Sequence, residues 1–187
     1  MAESTEKRAT RTKPGWSDVK ARLASFNRAE LLALVQSLYA ASWENQAFLH
    51  ARLDLGNDPI APYKETISRW VYPDVYKGQD YSITKAKKAI SDYRKAIGLP
   101  EGMVELTVHF CEEAIAFANA YGLDDGTFYD ALVRMFRQAV SRVLALSEAD
   151  QEPLLERLGK VMAVGQDMGW GVGYAFADTW AEAGLDA

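Results

Sequence analysis

Apolar residues recur along most of the chain at the three- and four-residue spacing of amphipathic helices, while the alternating pattern of half-buried strands is nearly absent. This pattern predicts an all-α fold of about eight helices, arranged as a bundle or an array. The expected helix starts are at Ser17, Asn27, Ser42, Asp58, Ser82, Glu101, Asp125 and Ser147.

Residues with strong positional preferences mark several of these helix ends. Asn27 and Glu30 have the spacing of a capping box, in which each side chain bonds to the other residue's backbone. Pro73 must end the fourth helix, because the residue before a proline avoids helical geometry. Gly98 and Gly122 have the position of C-terminal glycines after the fifth and sixth helices.

The first fifteen residues are polar and of mixed charge, without the apolar segment of a secretory signal. We therefore expect a disordered tail over 1–15 and one helical domain over 16–187. No stretch reaches the roughly 20 apolar residues of a membrane span, so no membrane association is expected. A single cysteine permits no disulfide within the chain, which favours a cytoplasmic location.

The last predicted helix contains four glycines, at 165, 169, 171 and 173. Charged residues before and after them share one helical phase, so we expect a long continuous helix with a glycine groove on its apolar face. Trp170 and Tyr174 would overhang this groove and are candidates for partner binding. A functional break in the helix is one alternative. A phosphate-binding glycine loop is another, although such loops follow a strand and none is predicted here.

The net charge of −5 is unevenly distributed. The segment 64–100 is basic, whereas the acidic residues are concentrated after residue 100. An acidic C-terminal half repels polyanions and disfavours nucleic acid as a partner. The lysine-rich face of the fifth helix is typical of a solvated surface, but Lys87 and Arg94 on its flank are candidates for binding an anionic partner.

One group on the sixth helix has the composition of a metal or acid–base site. Glu105, His109 and Glu112 are spaced so that all three lie on one helix face, where they could ligate a metal ion or act in an inter-helix pocket. The same sector also contains Glu113 and Asn119, which is typical of a solvated polar stripe.

Other signals for catalysis are weak. His50 and Asp54, one helical turn apart, could form an acid–base pair or a surface hydrogen bond. Cys111 has no lysine or arginine near it in sequence, so a reactive thiolate is not expected. The chain contains none of the common nucleophile-elbow, P-loop, zinc-protease or paired-cysteine motifs. No cofactor is therefore predicted.

Four strings of the sequence resemble, in the same order, a bacterial family of small proteins known only as a domain of unknown function. They are LYAASWENQAFLHARL, ISDYRKAIGLP, YGLDDGTFYDALVRMF and MGWGVGY. The resemblance covers about residues 17–174. It implies an all-helical cytoplasmic protein with no assigned activity.

The absence of catalytic motifs and the abundance of tryptophan and tyrosine favour a non-catalytic helical interaction module. Its expected partner is another protein or a second copy of the chain. The alternative is an enzyme or metal-binding protein that uses Glu105, His109 and Glu112 in a pocket between helices.

Overall fold

A computed structural model describes residues 13–53, 55 and 58–185. Over these residues the regular structure consists of nine α-helices and one short 3₁₀ helix, without strands, which confirms the all-α prediction. The helices are α1 (Trp16–Leu23), α2 (Arg28–Ala41), α3 (Trp43–Arg52), α4 (Ala61–Val71), α5 (Ile83–Ala96), α6 (Pro100–Tyr121), α7 (Gly126–Val143), α8 (Glu148–Gly165) and α9 (Val172–Glu182). The 3₁₀ helix Val75–Lys77 lies between α4 and α5.

The chain divides into two compact units, Met1–Asn45 and Gln46–Ala187. The single domain over 16–187 that the sequence predicts stays a prediction. The boundary falls inside α3, so α1 and α2 belong to the first unit and α4 to α9 to the second. Residues 1–12 of the predicted tail lie outside the described residues.

In the first unit, hydrogen bonds between side chains and the backbone cap the start of α2. The Asn27 side chain accepts a hydrogen bond from the backbone N–H of Glu30 at 3.0 Å, and the Glu30 carboxylate accepts one from the backbone N–H of Asn27 at 2.7 Å. This confirms the capping box at the start of α2. Helix α1 begins at Trp16, directly after Gly15, rather than at the predicted Ser17. No residue of α1 or α2 is buried.

Helix α6 is the centre of the second unit. It packs against α4, α5, α7 and α8, while α9 packs on α7 and α8. Its buried residues, among them Val104, Leu106, Phe110 and Phe117, cover about two thirds of the helix circumference, and the remaining side is polar. A helix with so wide an apolar face must be covered by several neighbours, which agrees with its contacts to four helices.

The helix ends of the second unit confirm most of the local signals. Gly98 and Gly122 adopt left-handed backbone conformations after α5 and α6, with φ of 71° and 60°. The Asp125 carboxylate accepts hydrogen bonds from the first turn of α7. Helix α4 starts at Ala61 rather than next to Asp58, although the Asp58 carboxylate accepts bonds from the N–H groups of residues 60 and 61.

The prediction of one continuous C-terminal helix is wrong. Helix α8 ends at Gly165 and α9 begins only at Val172, because Trp170 and Gly171 have left-handed φ values of 60° and 71°. Helix α9 then packs against α8. Gly165 does permit the close approach of another helix. That helix is α9, which follows α8 in the chain and contributes the ring of Phe176 to the contact.

Candidate functional site

One arginine of α8 binds both carboxylates that the sequence singled out on α6. Arg157 donates two hydrogen bonds to Glu105, at 2.6 and 3.1 Å, and two to Glu112, at 2.8 and 2.7 Å. The ammonium group of Lys64, from α4, lies 2.6 Å from Glu105. These contacts join α4, α6 and α8 in one charged network.

His109 lies beside this network and is mostly buried, with 17% of its side chain exposed. Its Nε2 atom is 2.9 Å from Oγ of Ser68 on α4, and its Nδ1 atom is 4.0 Å from Oε2 of Glu112. Burial lowers the pKa of His109 below its usual value and outweighs the opposing effect of nearby Glu113. The neutral imidazole is therefore favoured.

The ion pairs also shift the pKa values of Arg157 and Glu105. The pKa of Arg157 is raised, first by its hydrogen bonds to Glu112 and also by those to Glu105. Burial alone would raise the pKa of Glu105, but hydrogen bonds from Arg157 and Lys64 outweigh it and hold that pKa below its usual value. The negative charges of Glu105 and Glu112 are thus matched by the positive charges of Arg157 and Lys64.

This geometry is not that of a solvated stripe, and it does not leave the ligands of the predicted metal site available. The side chains of Glu105 and Glu112 are only 21% and 32% exposed, and their oxygens accept bonds from Arg157. Among the described residues, no three His, Cys, Asp or Glu side chains are placed around a common metal position.

The contact between Ser68 and His109 resembles a nucleophile and its base. However, Ser68 lies inside α4, where the backbone N–H groups around it are used within the helix and cannot stabilise an oxyanion. Glu112, the third group, is held by Arg157. We interpret the network as a structural link between three helices.

The other predicted binding residues lie on different helices. Lys87 and Arg94 of α5 line a small pocket. The Trp170 ring stacks on Tyr129 of α7, with ring centroids 5.9 Å apart and planes 16° apart, so part of it is used in packing within the chain. Tyr174 on α9 is 84% exposed.

The remaining candidates from the sequence do not form a site. Cys111 is fully buried in α6, and burial raises the pKa of its thiol, which agrees with the expected absence of a reactive thiolate. His50 lies on α3, but its predicted partner Asp54 is outside the described residues.

A group of exposed apolar side chains lies on α2 in the first unit. We call Leu31, Leu32, Leu34, Val35 and Leu38 the α2 apolar surface; each of them is at least 36% exposed. On a regular helix these five side chains fall within a sector about 160° wide. Their spacing is usually that of a core-facing helix, yet none is buried.

Sequence reasoning did not single out the α2 apolar surface, although a signal was available. No charged residue occurs from Leu31 to Trp43. Amphipathic helices packed on a core carry charges on their outer face, so a long uncharged run indicates a helix with a second apolar contact. Lys64, Ser68 and Arg157 were also missed, because nothing local links them to α6.

Within the described residues, no helix is long and apolar enough to cross a membrane. No protein-family model, curated protein or solved structure matches the chain. Membership of the bacterial family that the four strings resemble therefore stays a prediction.

Proposed function

We propose that the protein is a non-catalytic interaction module that pairs with a second copy of itself through the α2 apolar surface. The observation that carries the proposal is a helix of 14 residues, none of them buried, with five large aliphatic side chains exposed on one side. Contiguous apolar patches of this kind mark interaction sites. Each Å² removed from water would contribute about 25 cal/mol.

The exposed apolar area of the first unit is close to the area that a stable dimer buries. Besides the α2 apolar surface, Trp16, Val19 and Trp43 of the same unit are 70%, 45% and 44% exposed. Together these side chains present on the order of 700 Å², if each would expose about 200 Å² when fully solvated. A stable interface buries about 800 Å² per partner.

The charges at the two ends of α2 favour an antiparallel pair of identical helices. Arg28 lies at the N-terminal end, within the sector of the α2 apolar surface, and Glu44 lies just beyond the C-terminal end. Glu30, also at the N-terminal end, falls outside that sector and is held in the capping box. A parallel pair would bring like charges together, whereas an antiparallel pair brings Arg28 of each copy towards Glu44 of the other. The uncharged run between them requires no charge to be desolvated.

A symmetric pair of this kind has one residue near its two-fold axis. Val35 lies in the middle of α2 and near the middle of the α2 apolar surface. With Val35 on the axis, Leu32 of one copy lies against Leu38 of the other. Identical side chains at position 35 then face each other, which makes this position the most sensitive to a charge.

The test compares two substitutions that add the same charge to the same helix. Val35→Lys places two ammonium groups at the axis and is expected to raise the dimer dissociation constant at least about tenfold, equivalent to about 1.4 kcal/mol. Ala33→Lys, on the opposite side of α2 and also exposed, should leave it unchanged. Sedimentation equilibrium over a range of concentrations measures both constants.

Several results would contradict the proposal. A wild-type chain that stays monomeric at about 100 μM, far above the Kd of an ordinary specific dimer, excludes self-association. A dimer that is unaffected by Val35→Lys has its interface elsewhere.

An equimolar mixture of Val35→Lys and Val35→Glu should regain the dimer, because opposite charges then meet at the axis.

A further inference from the structure

Three positively charged side chains line a small pocket in the second unit. It has a volume of about 150 Å³ and lies between α5, α6 and α7. Its polar lining consists of Lys87, Ser91, Arg94, Gln138 and Arg142. No aspartate or glutamate lines it, so the pocket has an excess of positive charge.

The cations of this pocket have no acidic partner among the described residues. No ion pair joins Lys87, Arg94 or Arg142 to a carboxylate there. Asp92, the only acidic residue of α5, instead pairs with Lys88 and Lys95. The positive charge of the pocket is therefore not neutralised by the chain around it.

Arg142 differs sharply from Arg157, which is also half-buried in the second unit. Arg157 donates four hydrogen bonds to two carboxylates, whereas Arg142 donates one, at 2.5 Å, to the hydroxyl of Thr107. Burial, and secondly the positive charge of Arg94, lowers the pKa of Arg142. Two guanidinium groups held near each other without a counter-charge are stabilised when an anion binds between them.

We propose that this pocket binds a phosphate monoester group on a short apolar stem, with the phosphate between Arg94 and Arg142. A phosphate monoester carries nearly two negative charges at pH 7 and several acceptor oxygens, which suits two guanidinium forks and the nearby Lys87 better than a carboxylate does. This proposal is independent of the α2 apolar surface.

The other lining residues restrict the kind of molecule to which the phosphate group can be attached. Met103 and Met135 supply an apolar, adaptable surface for a hydrocarbon stem. Ser91 and Gln138 add neutral hydrogen-bond donors. Because whole-ligand pockets usually measure about 300–1,000 Å³, this pocket holds one group of a ligand rather than a complete nucleotide. A phosphorylated side chain and a small phosphorylated metabolite share this chemistry.

Calorimetric titration of the full chain with n-butyl phosphate tests the site. Arg94→Gln and Arg142→Gln should each weaken binding about tenfold or more, because each removes a charge-assisted contact to the phosphate. Arg134→Gln, at an exposed position of the same helix as Arg142, is the matched control and should bind like the wild type. Arg94 is exposed, so its variant keeps the test valid if Arg142→Gln does not fold.

A second titration, with a peptide that contains phosphoserine, distinguishes the two sources. Much tighter binding of the peptide than of butyl phosphate indicates a phosphoprotein partner, whereas similar binding indicates a small metabolite. The proposal is overturned if butyl phosphate does not bind at about 10 mM, a concentration well above the Kd of weak specific ligands. It is also overturned if neither variant affects binding, or if the monoanion butyl sulfate binds equally well.

Discussion

Gly165 of α8 lies directly against the ring of Phe176 on α9, so closely that a Cβ atom added at Gly165 would come within 2.9 Å of two ring carbons. The ring cannot move aside easily, because it is stacked on Phe136 of α7 with ring centroids 4.0 Å apart. The absence of a side chain at position 165 therefore sets how closely α8 and α9 pack.

Gly165→Ala is expected to destabilise the protein by about 1–3 kcal/mol through overpacking. Gly159→Ala is the matched control, since Gly159 lies in the same helix with no atom within 4 Å of an added Cβ. That variant should gain up to about 1 kcal/mol from helix propensity. Urea unfolding curves give both differences, and equal effects at the two positions would show that Phe176 does not limit the packing.

Gly171→Ala should cost about 1 kcal/mol, because Gly171 has a φ of 71° that an alanine adopts only with strain. Gly169→Ala, two residues earlier, should melt close to the wild type, since Gly169 has open space around it and no positive φ. Thermal melts of the two variants test this. A stabilised Gly171→Ala would instead indicate the continuous helix that the sequence predicts.

Arg157→Met should destabilise the protein by about 2–3 kcal/mol, between the values for exposed and buried ion pairs, because it leaves two partly buried carboxylates with one cation. Lys160→Met, in the same helix, breaks an exposed pair with Glu156 and should have little effect, because solvent screens such pairs. Chemical denaturation of both variants measures the contrast. Equal losses would mean that the network does not link the helices.

The stability of the protein should fall as the pH is lowered below about 6.5, the usual pKa of an unfolded histidine. Because the folded pKa of His109 is depressed, the unfolded chain binds a proton in this range before the folded chain does. The slope from one such group is at most about 1.4 kcal/mol per pH unit, and it ends below the folded pKa.

His109→Gln should remove this part of the pH dependence while keeping a polar group near Ser68. Glu105 acts in a lower range, since the stability from its depressed pKa is lost only as the pH falls through that pKa. Unfolding free energies between pH 5 and 7 therefore isolate the histidine. Identical profiles for variant and wild type would assign the dependence to other groups.

Short-range signals allowed most of the fold to be predicted. The capping box of Asn27 and Glu30, the glycine end at Gly122 and the aspartate cap at Asp125 all act within one helical turn, so the sequence contains the whole interaction. The break before α9 coincides with a contact between residues distant in sequence. The ring of Trp170, at a positive φ, stacks on Tyr129 of α7, and no local pattern reveals that packing.

The charged network shows the same limit. Spacing alone placed Glu105, His109 and Glu112 on one face of α6, and they do lie together. Whether that face meets water, metal or another helix depends on Arg157, which approaches from α8. A periodic pattern defines which side of a helix a residue occupies, but it does not define what the fold places opposite.

The full burial of Cys111 in α6 makes this residue a natural reporter of how often the second unit opens. It is the only cysteine of the chain, and alkylating reagents attack the thiolate, which burial suppresses. Labelling under native conditions must therefore wait for a transient opening, whose free energy the labelling rate measures. Since α4, α5, α7 and α8 all pack on α6, one thiol reports on the integrity of five helices.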